Sequence, residues 1–139
     1  NLGTIIRTAD AAGADAVLLA GGVDAYNGKA VRASAGSLFH LPVVECDVTE
    51  LLTAASAAGI TTLATSAAAA ADLDDLGAAG VLAQPTMWLF GSEAHGLPDG
   101  VLGAANQTVR IPMYGRAESL NLAAAVAVCL FASARAQRR

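Results

Sequence analysis

Leu2, Ile5, Ile6 and Ala9 recur at helical spacing, with Asn1 before them as a cap and Gly13 after them as a stop. Residues 2–12 therefore read as a helix carrying Arg7 on the flank of its apolar stripe. AVLLA at 16–20 is an unbroken apolar run ended by Gly21 and Gly22, which predicts a buried parallel strand rather than an alternating one. Residues 26–37 are small and polar and predict a loop with a short helix. LPVVEC at 41–46 predicts a second strand, Thr49 caps a helix that runs to Ala58 and stops at Gly59, and ITTLATS at 60–66 is a β-branched strand. Residues 67–86 are rich in alanine and aspartate without a period, and read as a loop with at most one turn of helix. TMWLFG at 86–91 predicts another buried strand, followed by a glycine-punctuated loop at 91–100, a short helix near 98–104 and a strand at 107–111. A long helix from about Ser119 to Gln137 closes the chain. It carries Leu120, Ala124, Val128 and Phe131 on adjoining faces and arginines at its C-terminal end, where the helix dipole favours them.

Strands alternating with helices imply an α/β layered fold with a mostly parallel sheet and helices on its faces. The 139 residues hold one domain, 1–139, with no internal repeat or linker. Although 55% of the residues are hydrophobic, the longest alanine tract, 67–71, is far shorter than a membrane span. The start shows no basic segment leading into an apolar one, and Cys46 and Cys129 lack metal-like spacing, so the expectation is a cytoplasmic protein with reduced thiols. The absence of an initiating methionine points to a piece of a longer chain. Net charge changes the picture most: at −4, with eight basic and twelve acidic residues, it argues against nucleic-acid binding unless folding gathers the cations on one rim.

Three segments sit where open α/β sheets place ligand sites: NLGTIIRTADAAG at the start, LFGSEAHGLP in the middle and IPMYGRAESLNL near the end. None has the glycine spacing of a phosphate-binding loop. In order and spacing they resemble the three motifs of the SpoU/TrmH branch of the SPOUT superfamily of RNA methyltransferases. Asn1, Gly3 and Arg7 match the first motif; Gly91, Ser92, Glu93, Gly96 and Leu97 match the second. Ile111, Pro112, Met113, Gly115, Ser119, Leu120 and Asn121 match the third, and VRASAG at 31–36 resembles a further family stretch.

The resemblance implies S-adenosylmethionine as cofactor, transfer of its methyl group to a ribose 2′-hydroxyl of ribosomal or transfer RNA, and no metal. It also implies a homodimer and a deep trefoil knot at the C-terminal end of the sheet, a rare topology. The family pattern places an Asp-Pro and a strand before the position of Asn1, and commonly an N-terminal RNA-binding domain. The chain is thus expected to be the catalytic domain alone, and the lean is towards ribosomal RNA.

Arg7 is the first catalytic candidate, because a guanidinium grips phosphate bidentately and stabilises alkoxide character beside it. A guanidinium is a poor proton acceptor, which favours orientation over base catalysis. Without the motif, Arg7 would be read as a surface ion pair with Asp10 at i+3. Asn1 is either a ribose ligand or a helix cap; Glu93 sits in a glycine-flanked loop after a strand; Ser119 and Asn121 open the last helix, where capping is the bland alternative. By resemblance these five form the catalytic set. Gly91, Gly96, Ile111, Met113, Ser119 and Leu120, with Thr65 and Ser66 after the third strand, form the cofactor pocket, which needs small and apolar residues. His95 occupies a variable motif position and is left out. The competing expectation is a catalytically silent RNA-binding or assembly module of the same fold.

Overall fold

Residues 1–21 and 25–138 are described by this computed structural model, and among them six helices and six strands follow one another. Helix α1 (Leu2–Ala12) stops at Gly13, whose φ of 77° lets its N–H turn back onto the Ala9 and Asp10 carbonyls. Strands β1 (Val17–Leu19) and β2 (Val43–Glu45) pair in parallel, with α2 (Gly28–Ala33) between them in the chain. Helix α3 (Val48–Ala57) precedes β3 (Thr61–Thr65), which is followed by β4 (Ala71–Asp72), α4 (Leu73–Ala78), β5 (Thr86–Leu89), α5 (Asp99–Ala104), β6 (Gln107–Arg110) and α6 (Leu122–Gln137).

All described strand pairs within the two sheets are parallel, but the ladder divides into a two-stranded sheet, β1-β2, and a four-stranded one ordered β4-β6-β3-β5. In the larger sheet neighbouring residues point to opposite faces. Leu63, Trp88 and Val109 pack with α4 and with Ala132 and Ala136 of α6, whereas Ala64, Met87 and Leu89 pack with α3 and α5. Helices therefore cover both faces. A third cluster sets Ile6 and Ala9 of α1 against Val17, Leu19 and Val43, with Leu130 of α6 closing it. Helix α6 thus joins the two sheets, and Trp88 fastens it to β5 by donating from Nε1 to Ser133 Oγ at 2.9 Å.

The connection between β3 and β4 has an unusual course. Thr65 and Ala71 both pair with Val109, so β6 lies between them and residues 66–70 must arch over it. Parallel neighbours ordinarily need a crossover of a dozen or more residues; here a short strap suffices because β4 continues forward on the far side of β6. The Ser66 N–H reaches the Val109 carbonyl at 2.9 Å, and the Arg110 guanidinium donates to the Ala69 and Ala70 carbonyls, holding the strap down.

Several sequence expectations need correction. Thr49 lies inside α3; Asp47 caps it, its carboxylate accepting the Glu50 N–H at 3.0 Å. Residues 67–86 hold β4, α4 and a 3-10 turn at Val81–Ala83, not a loop. These pieces are too short to show a period, but Leu73, Leu76 and Leu82 are buried, and Asp72 and Asp75 cap α4 reciprocally. Strand β1 is half-buried rather than buried, since Val17 and Leu19 face the core cluster and its pair is a two-stranded sheet. Helix α6 begins at Leu122, not Ser119, and buries Ala123, Val126, Cys129 and Ser133. Its expected apolar positions Val128 and Phe131 each remain 40% exposed.

Candidate active site

The three motif segments end at one place. Asn1 stands before α1, Glu93 in the loop after β5, and Asn121 at the start of α6. Asn121 Nδ2 donates to Asn1 Oδ1 and to Glu93 Oε1, both at 3.3 Å, joining residues 120 positions apart in the chain. The same Glu93 oxygen accepts the Leu122 N–H at 3.2 Å, placing a carboxylate at the positive end of a sixteen-residue helix. Asn121 Oδ1 meanwhile accepts the Ala123 and Ala124 N–H groups at 2.9 and 3.3 Å. One amide therefore caps α6 with its oxygen and gathers two motifs with its nitrogen.

The loop presenting Glu93 is tight. Ser92 and Gly96 form an antiparallel bridge, with the Gly96 N–H on the Ser92 carbonyl at 2.8 Å. At Gly91 any side chain would strike the Gly96 and Leu97 backbone, so glycine is required by close approach. Its neighbours gather at the carboxyl ends of adjacent parallel strands: Thr65 Oγ1 donates to the Leu89 carbonyl at 3.1 Å, and Ser66 bonds Val109 beside Ile111.

A cleft of about 730 Å³ opens against the segment following β6, lined by Ile111, Met113 and Leu120 together with Leu73 and Val128. Three of the eight predicted cofactor residues line it; Thr65, Ser66, Gly91, Gly96 and Ser119 do not. Asp74 and Tyr114 also line it, the Tyr114 hydroxyl donating to Asp74 Oδ2 at 3.2 Å. That hydrogen bond and the Asp74 charge push the Tyr114 hydroxyl above its ordinary range. Nothing in the sequence marked this pair, which joins residues on α4 and beyond β6. A smaller cleft of about 500 Å³, between the C-terminal ends of α1 and α6, is lined by none of the predicted catalytic or cofactor residues.

Arg7 is exposed and enters no ion pair among the described residues. Asp10, its alternative partner, is engaged elsewhere: Oδ2 accepts from Ser37 Oγ at 2.7 Å and lies 2.7 Å from His40 Nδ1. The hydrogen bonds with His40 and Ser37 hold its carboxyl below the ordinary value of 3.8. Ser119 is exposed and lies ahead of α6, and of the two residues for which capping was the alternative it is Asn121 that caps. Asn1 closes the first turn of α1 through its carbonyl, on the Ile5 N–H at 2.8 Å, while its side chain turns to Asn121 instead of capping.

Fold and cluster together define an α/β protein whose polar site joins the carboxyl side of a parallel sheet to two helix N-termini. The chain belongs to the SpoU rRNA Methylase family, whose model matches residues 1–131. It is 38% identical over 132 residues to the 23S rRNA (guanosine(2553)-2′-O)-methyltransferase RlmP of Bacillus subtilis, covering 94% of this chain and 52% of that protein. It is 39% identical over 142 residues to the 23S rRNA (uridine(2479)-2′-O)-methyltransferase of Streptomyces viridochromogenes, covering 97% and 48%. The crystal structure of the SpoU methyltransferase AviRb from Streptomyces viridochromogenes in complex with AdoMet superposes with a TM-score of 0.83 at 39% identity, over 96% of this chain and 52% of that one. This chain spans about half the length of these relatives.

Proposed function

We propose that this chain is the catalytic domain, 1–139, of an S-adenosylmethionine-dependent enzyme that methylates a ribose 2′-hydroxyl in structured RNA, ribosomal rather than transfer RNA. The observation that carries the reading is the meeting of Asn1, Glu93 and Asn121 at the start of α6. Relatives named as 23S rRNA 2′-O-methyltransferases support ribosomal RNA as the substrate class. The cleft suits the cofactor: its volume falls in the range of small-molecule sites, and Ile111, Met113 and Leu120 offer apolar surface for an adenine ring. Thr65, Ser66, Gly91 and Gly96, at the ends of β3 and β5 and outside the lining of this cleft, are proposed to hold the polar parts of the cofactor.

When bound, the cofactor supplies an electrophilic methyl group. The protein's part is to orient the ribose and stabilise negative charge developing on its oxygen. In this reading Arg7 holds the adjoining phosphate, Asn1 and Ser119 contact the ribose, and Glu93 and Asn121 fix the positions of these groups. The strap over β6 supports a trefoil knot, formed if the segment from Ile111 onward passes beneath residues 66–70. The exposed Phe131, outside the cofactor cleft, supports a homodimer through the outer side of α6. No helix among the described residues is long and apolar enough to cross a membrane; the cytoplasmic location belongs to the proposal through its ribosomal RNA substrate.

The test is transfer of labelled methyl from S-adenosylmethionine to ribosomal RNA by the full-length protein, with mapping of the modified nucleotide. Label on a ribose 2′-oxygen is expected. Label on a base nitrogen overturns the assignment, and RNA binding without transfer favours the silent module.

A further inference from the structure

The stretch between Asp24 and Glu45 is locally basic in an acidic chain. Between Asp24 and Glu45 the sequence contains no aspartate or glutamate, although the chain holds twelve, and the same stretch carries Lys29 and Arg32. Both cations are exposed, and neither enters an ion pair among the described residues. The stretch also displays two large aromatic side chains, Tyr26 at 65% and Phe39 at 77% exposure, in a chain with only six Phe, Tyr and Trp residues. Burial does not require Phe39: Ser37, Leu38 and Leu41 around it form the buried anchors of the turn.

Helix α1 sets this stretch beside the proposed active site. Gly3, Arg7 and Asp10 are spaced at i, i+4 and i+7 and share one helical face. At one end of that face, Gly3 abuts Ala30, Ala33 and Ser34 of α2 so closely that it has no room for a side chain. At the other end, Asp10 holds Ser37 and His40 of the following turn. Arg7 lies between them on that face and is exposed. The Arg32 guanidinium folds back along α2 to within 3.2 Å of where a Gly28 side chain would begin.

We infer that residues 26–40 form a binding surface for an unpaired RNA strand, in which Lys29 and Arg32 contact phosphates and the Phe39 ring stacks on a base flanking the methylated nucleotide. Cations interleaved with exposed aromatic rings are the chemistry that holds single-stranded RNA. The surface answers the objection raised by the net charge, since binding depends on local potential rather than on the total. The inference rests on the RNA-methyltransferase reading and adds the groups that position its substrate.

The full-length protein and two variants, the double substitution Lys29→Ala with Arg32→Ala and the single Phe39→Ala, are compared by fluorescence anisotropy. The probes are a fluorescein-labelled single-stranded ribosomal RNA fragment and the same sequence closed into a hairpin stem. The charge variant is expected to lose affinity and to flatten the dependence of log affinity on log salt by about 1.4, two phosphate contacts' worth. Phe39→Ala is expected to weaken binding to the single strand by about tenfold, with Phe39→Trp restoring it and the stem little affected. Unchanged RNA affinity in these variants, or no RNA binding by the wild type, overturns the inference. So does a halved molecular mass for Phe39→Ala, which would make the ring part of a subunit interface. Calorimetric titration with S-adenosylmethionine separates the two levels. Absence of cofactor binding by the wild type defeats the methyltransferase reading, while variant-dependent RNA binding in that case still supports the surface.

Discussion

Asn121 does two things with one side chain, and they can be separated. Its oxygen caps α6, and its nitrogen holds Asn1 and Glu93. Asn121→Ser keeps a capping oxygen and loses the amide donor, so stability should remain near wild type while methyl transfer falls. Asn121→Ala loses both and should cost a further ~1 kcal/mol in urea denaturation. Equal stability losses in the two variants would show that the bridge, not the cap, stabilises the helix. Asp10 offers a second test. Its carboxyl is held below 3.8 in the folded protein, so the charged form adds stability above that value and the contribution disappears as pH falls through the depressed one. Asp10→Asn should therefore flatten the loss of stability between about pH 5 and about pH 3, read as urea midpoints. At this scale the sequence named Asn1, Glu93 and Asn121 through their motif positions. It left capping open between Ser119 and Asn121 and offered Arg7 a partner in Asp10 as an alternative, because side-chain pairing across the chain leaves no local pattern.

At the scale of elements, α1 was legible almost to the residue because an apolar stripe, a cap and a stop coincide within it. Its closest packing was not legible. Gly3 is read in the sequence only as a motif match, yet any Cβ there would enter the Ala30 carbonyl and the Ala33 methyl of α2. Gly3→Ala would improve helix propensity in isolation, but the structure predicts a net loss of about 1–3 kcal/mol by overpacking. A rise in the urea midpoint of that variant would mean that α2 yields without cost. Helix α4 shows the opposite case: its length conceals any period, and only Leu73 and Leu76 against the sheet, with the Asp72–Asp75 capping pair, account for it. In α6 the outward positions Val128 and Phe131 are as apolar as the buried ones, so composition does not say which side faces the core. Cys129 settles there fully buried, and burial pushes its thiol up to about 12. It should stay unreactive towards a thiol reagent in the native protein and react on unfolding.

For the whole molecule, the proposed RNA surface depends on the acid-free stretch from Ala25 to Val44 and on the docking of its helix along α1. By itself the sequence determined the α/β class, five of the six strands, the positions of five of the six helices and the family motifs, because these depend on local propensity, short-range periodicity and residue identity. Only the tertiary structure decided the strand order with β6 between β3 and β4, the strap above it, the side α6 turns inward, and the contact of Asn1, Glu93 and Asn121. Each of these is a meeting of segments distant in the chain. Their energies come from burial and hydrogen bonds formed jointly after collapse, so the residues involved carry no mark of their partners until the backbone brings them within reach.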